Sequence, residues 1–325
     1  MMLALSLTLS LTACRNQAGS EYHDDILPTQ DQLAINLKGG DAEKSPSDPE
    51  DWASYYEATR SVTSTLNGMI AFVLGTVGYV TTNLQPSWTD EDKTKAMWGP
   101  YSDSGLDPHQ TGLYVIANED ESYSWAIFFV PNGGTVEEDA VPVVAGEVDA
   151  GSTREDATGT FVVDFTTANA MDPAVRNVGT FAVEYDYDAA GVEALASMDD
   201  FGNEGGIHYD AAYHYDEDYA GSGTMDLAWL DDVNATGTSE IVTLESRWTE
   251  DGAGRGDAMV QGGDLGAENV TASECWGTDF KTSFWTDSIG MYEPVGEESV
   301  CAYTPASYSE EGSFELSTDA ADTGE

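Results

Sequence analysis

The sequence predicts an α+β fold: a mainly antiparallel β-sheet, curved into a barrel or half-barrel, around a long N-terminal helix. Three observations lead there. Residues 48–83 repeat large apolar side chains at helical spacing. From residue 96 onward the pattern changes to a period of two, segment after segment. The segments number roughly a dozen, too many for one flat open sheet, so curling or closure is expected.

The helix is expected to open at Asp48, where Asp48 is placed to cap, Pro49 suits the first helical position, and Glu50 and Asp51 complement the dipole. Asn83 and Pro86 supply its stop. One stripe is large: Trp52, Tyr55, Thr59, Val62, Leu66, Met69, Val73, Val77 and Val80. A second stripe is small: Gly68, Ala71, Gly75 and Gly78. No charge occurs between Arg60 and Asp90. A helix without a charged face is expected to be buried nearly all round, its small stripe admitting a close backbone. A membrane-spanning reading fits less well, because the continuously apolar part, Met69 to Leu74, is short and polar residues interrupt the rest.

Strands are then expected at Gly112–Asn118, Tyr123–Val130 and Val141–Val148. A phrase recurs: Gly159-Thr160-Phe161 begins one strand, Gly179-Thr180-Phe181 the next and Gly223-Thr224-Met225 a third. Each has one large apolar face and one bearing Thr and acids, the pattern of antiparallel strands with one wet side. Thr238–Trp248 and Gly254–Gly262 should form a hairpin across Thr249-Glu250-Asp251-Gly252, followed by Thr271–Trp276 and Phe280–Trp285. Four segments result: 1–13 a signal peptide, 14–47 a flexible tether with a possible edge strand over Leu33 to Leu37, 48–304 one β-rich domain, and 305–325 a disordered acidic tail.

Composition limits function. The chain has 325 residues, with 60 acidic against 11 basic side chains and a formal net charge of −49. Nucleic acid and anionic membrane surfaces are repelled. The acidity is first a solvated surface suited to salty surroundings, and second a possible store of cation ligands, calcium among them.

The N-terminus is more specific. Residues 3–13 form a short apolar run before Cys14. Leu11-Thr12-Ala13-Cys14 resembles the lipobox of bacterial lipoproteins, although no Lys or Arg precedes the apolar run. The resemblance implies cleavage before Cys14, lipidation there, and anchoring to the membrane by several acyl chains. Arg15 favours outer-membrane sorting over inner-membrane retention in the lipoprotein scheme. Of the three cysteines, Cys275 and Cys301 remain, and in an exported chain they are expected to pair as a disulfide.

Candidate chemistry is sparse. His208, Asp210, His214 and Asp216 share one face of a predicted strand, residue types that ligate metals. His208 and His214 would stand about 20 Å apart, so a site needs partners from neighbouring strands. The plainer reading is a polar face over an aromatic one. Asp199-Asp200, Asp216-Glu217-Asp218 and Asp231-Asp232 lack the spacing of a calcium loop. Arg255-Gly256-Asp257 spells an adhesion tripeptide at the start of a predicted strand. Serine-hydrolase, zinc-protease and phosphate-loop motifs do not occur.

The expectation is an envelope-anchored, non-enzymatic lipoprotein that binds a hydrophobic ligand or an envelope protein. The alternative is a carboxylate-dependent hydrolase acting on a cell-wall or extracellular polymer. A helix cradled by a curved sheet is similar to the architecture of periplasmic lipoprotein carriers, which implies nothing about function.

Overall fold

The computed structural model describes residues 33, 37, 52–102, 107–153, 155–265 and 268–306. The lipobox, Cys14 and the expected helix start at 48–51 lie outside them.

The helix, α1, spans Ser54–Asn83 and is followed by a meander of strands. These are β1 (Trp88–Thr89), β2 (Lys95–Tyr101), β3 (His109–Ala117), β4 (Tyr123–Pro131), β5 (Val141–Val148), β6 (Ala157–Asp164) and β7 (Asn177–Tyr187). The sheet continues through β8 (Gly191–Asn203), β9 (His208–Asp218), β10 (Gly223–Asp231), β11 (Glu240–Trp248), β12 (Gly254–Gln261), β13 (Val270–Trp276) and β14 (Thr282–Asp287). Each strand pairs antiparallel with the next, giving one 14-stranded sheet in sequence order. β1 and β14 do not pair, so the expected barrel is not closed. Short helices α2 (Val136–Asp139) and α3 (Phe165–Met171) interrupt the meander, and the Asp164 carboxylate caps α3 by accepting from Thr167 N.

Burial of α1 differs from the expectation. Tyr56, Thr59, Thr63, Leu66, Ile70, Val73, Leu74, Val77 and Thr81 face the core. The opposite side is open, with Phe72 45% and Tyr79 44% exposed. The small stripe points out as well: a Cβ added to Gly75 or Gly78 would meet nothing within 4 Å. The absence of charge therefore does not mark all-round burial here. By length and composition the helix is long and apolar enough to cross a membrane, but one face is packed against the sheet.

Threonines make the buried face possible. Thr59, Thr63 and Thr81 return their hydroxyls to carbonyls one turn earlier, at 2.6, 2.9 and 3.0 Å, so each polar group is satisfied inside the core. Thr59 also meets Ser246 of β11 at 2.6 Å.

The start of α1 is held from afar. Ala53 is its N-cap residue and offers no side-chain cap. Ala53 N donates instead to Phe280 O, 2.9 Å away at the β13–β14 turn, and the Glu274 carboxylate accepts from Tyr55 N. At the far end the stop falls at Asn83 as expected, and Trp98 Nε1 donates to Leu84 O at 3.0 Å.

The core face of the sheet carries a repeated device. Trp125, Tyr185, Trp248 and Trp276 are buried directly opposite Gly146, Gly159, Gly223 and Gly254 on the neighbouring strand. Each ring lies so close over its glycine that an added Cβ would come within 3.0 Å of it. Glycine leaves the backbone free to bend and the ring fills the vacated space. The recurring Gly-Thr phrase thus has two causes. Gly159 and Gly223 sit beneath rings, whereas Gly179 takes φ +85° at a register shift beside Thr180.

Leu33 and Leu37 also lie in the core cluster, and Leu33 is helical. Leu33 and Leu37, which fall within the expected tether, are thus packed against the domain. The expected tail likewise begins attached, through Ala306 N to Asp257 at 3.0 Å.

Candidate functional site

His208, Asp210, His214 and Asp216 all lie on β9, where each takes separate partners. His208 Nδ1 lies 2.7 Å from Asp200 Oδ1, while Asp210 accepts from Asp200 N at 2.8 Å. His214 sits between two other strands, with Nε2 2.9 Å from Glu193 on β8 and Nδ1 3.6 Å from Asp226 on β10. Asp216 is paired with Glu193 and Thr224 in the ladder. Hydrogen bonding to Asp226 and then Glu193 raises the His214 pKa, and bonding to Asp200 raises that of His208. Among the described residues no three His, Cys, Asp or Glu side chains are grouped to hold a metal ion. The histidines sit among carboxylates on an acidic cross-strand surface, each beside its own partners.

The acidic doublets are local braces. Asp232 accepts from Thr236 N and Gly237 N within its turn, and Asp218 accepts from Gly221 N and Ser222 N. Glu217, between Asp216 and Asp218, points the other way and accepts from Tyr215 Oη in the core. His109 stacks on Phe129 with ring centroids 3.7 Å apart, and burial lowers its pKa.

The adhesion tripeptide proves to be interior. Arg255 is 1% and Asp257 2% exposed, on the sheet face away from α1. Asp257 accepts from Arg255 Nε and Arg247 at 2.9 Å, from Ser273 at 2.5 Å and from Ala306 N. Burial alone would raise its pKa, but these hydrogen bonds hold it below the usual carboxylate value. Arg255 also reaches Glu298 at 3.0 Å, and Arg247 reaches Thr304 O at 2.9 Å. The Cys275–Cys301 disulfide forms as expected and fastens the same terminal segment.

Between β14 and that disulfide lies the feature sequence reasoning missed. Ile289, Met291, Tyr292, Val295 and Val300 are between 46% and 65% exposed. Their loop is nonetheless firmly held. The Asp287 carboxylate accepts from Ile289 N, Met291 N and Tyr292 N at 3.1, 2.9 and 3.1 Å. Trp285 and Val295 exchange both backbone hydrogen bonds, at 2.9 and 3.1 Å, which covers part of the β14 edge. A signal was present in Asp287 followed by Gly290, an acid and a glycine placed for a turn. No family of known proteins, no curated protein and no solved structure matches the chain significantly.

Proposed function

We propose that the chain is a lipid-anchored, non-enzymatic binding protein of the bacterial envelope, held in the membrane through Cys14 and taking a hydrophobic ligand or a protein partner. Arg15 favours the outer membrane over the inner, and the open curved sheet is read as a half-barrel with α1 along it. One observation carries the reading: the division of labour among side chains. Buried ionisable groups hold the fold: Glu274 caps α1, Asp257 and Arg255 fasten the terminal segment, and Glu240 accepts from Val233 N. Large apolar side chains, by contrast, stand exposed on held elements, Phe72 and Tyr79 on α1 and the group around Tyr292. Contiguous exposed apolar surface marks interaction sites in soluble domains.

Two measurements test this. Mass spectrometry of the N-terminal peptide should find Cys14 acylated, and Cys14→Ser should move the protein from the membrane to the soluble fraction. The Cys14→Ser protein, purified without detergent, should then release a lipid on denaturation or bind a partner from the envelope. An unmodified Cys14 removes the anchor. A protein that carries no lipid and engages no partner removes the binding role.

A further inference from the structure

The loop at 288–300 is both apolar and pre-ordered, a combination with a cost that the fold does not require. Its large apolar side chains stand outside the core, and the backbone at Val295 pairs with Trp285 along the β14 edge. Three backbone N–H groups converge on Asp287, Gly290 and Gly296 take φ +66° and +67°, and a Cβ on Gly296 would overlap the Ser283 carbonyl. The disulfide at Cys301 and the Arg255–Glu298 pair close its far end. Ordering already done in the free protein is not lost again on binding.

The charge around the loop selects the partner. Glu293 and Glu297 are exposed within it, and no Lys or Arg follows Lys281 in the sequence. An anionic bilayer is repelled by these carboxylates, and so is a second copy of a chain with net charge −49. We propose that Ile289, Met291, Tyr292 and Val295 form a rigid knob that docks into an apolar socket on another protein, rimmed by lysine or arginine that pairs with Glu293 and Glu297. Tyr292 supplies a stiff amphipathic anchor and Met291 an adaptable one. The proposal takes the protein-partner arm of the binding-protein reading and rests on it.

The test is site-specific photo-crosslinking in the native cells, using the full chain with benzoylphenylalanine placed at position 292, 72 or 219 in separate strains. Tyr219, also exposed, is the control away from the knob. The expected result is a protein adduct at 292 and not at 219, its crosslinked peptide apolar and flanked by Lys or Arg. Glu293→Lys with Glu297→Lys should cut its yield at least tenfold, with circular dichroism and the disulfide unchanged. A lipid adduct at 292, an adduct to the same chain, equal capture at 219, or indifference to charge reversal overturns the proposal. Capture at 72 alone also overturns it while leaving the binding-protein reading intact. Silence at every position, with no lipid carried, overturns both.

Discussion

Glu274 on β13 accepts the backbone N–H of Tyr55 at 2.6 Å and the Thr282 hydroxyl at the same distance, so the cap of α1 comes from a residue 219 positions away. The carboxyl is 2% exposed, and burial raises its pKa against the lowering effect of its hydrogen bonds. A raised folded pKa means its contribution to stability is full below the unfolded value and lost as pH rises through the folded one. Glu274→Gln keeps an acceptor and removes that titration, so its stability at neutral pH should match or exceed the parent's. Glu274→Ala leaves Tyr55 N–H and Thr282 unsatisfied and should cost about 1–3 kcal/mol in urea unfolding. An alanine variant as stable as the parent would show the cap to be idle.

Gly254 and Gly75 make a contrasting pair. Gly254 lies under the Trp276 ring, directly opposite it in the ladder, and Gly254→Ala should cost about 1–3 kcal/mol through overpacking. Gly75 faces open space in the middle of α1, and Gly75→Ala should stabilise by about 1 kcal/mol. Thermal unfolding of the two variants should move in opposite directions. A loss at Gly75 would mean the outer face of α1 is covered.

Much of the sheet was legible because its inward residues are large. β7 sets Phe181, Val183, Tyr185 and Tyr187 against Ala182, Glu184 and Asp186, and β11 sets Val242, Leu244 and Trp248 against Thr243, Glu245 and Arg247, a period only a half-buried strand explains. β8 was missed because Ala194 and Ala196 supply its inward face between Glu193 and Leu195, residues that read equally well as helix. The cap of α1 was illegible because local signals at Asp48 to Asp51 were strong while the observed acceptor is distant in sequence. The buried side of α1 was misjudged for a different reason: glycine and uncharged polar residues carry no sign of which way they face. The apolar loop after β14 looks like core in composition, and only the Asp287 hydrogen bonds show how such side chains can be held in solvent.

His214 gives a pH signature. Its pKa is raised by hydrogen bonds to Asp226 and Glu193, so its stabilising effect is full below the unfolded value and fades as pH rises through the folded one. Stability differences between the parent and His214→Gln should therefore be largest on the acid side of neutrality and vanish in mild alkali. Both partners are partly exposed, so the effect should shrink with added salt. A difference independent of pH would assign His214 a packing role alone.

The terminal segment is fastened twice, and the two fastenings should separate experimentally. Cys275 and Cys301 are 26 residues apart, a loop whose closure contributes about 3.5 kcal/mol on the chain-entropy estimate. Cys275→Ala with Cys301→Ala should lower stability by up to that amount while Arg255 and Asp257 still hold residues 298–306 in place. Asp257→Asn removes the buried anion beside Arg255, leaving it only the half-exposed Glu298, and should cost about 3–5 kcal/mol with the disulfide intact. Acidification acts in the same sense as Asp257→Asn: the depressed pKa of Asp257 makes its contribution full above the unfolded value and lost as pH falls through the folded one. Limited proteolysis distinguishes the cases, since cleavage near Tyr303 should appear in the Asp257→Asn protein before global unfolding and in the cysteine variant only with it. Early cleavage in the cysteine variant would instead make the disulfide the principal fastening.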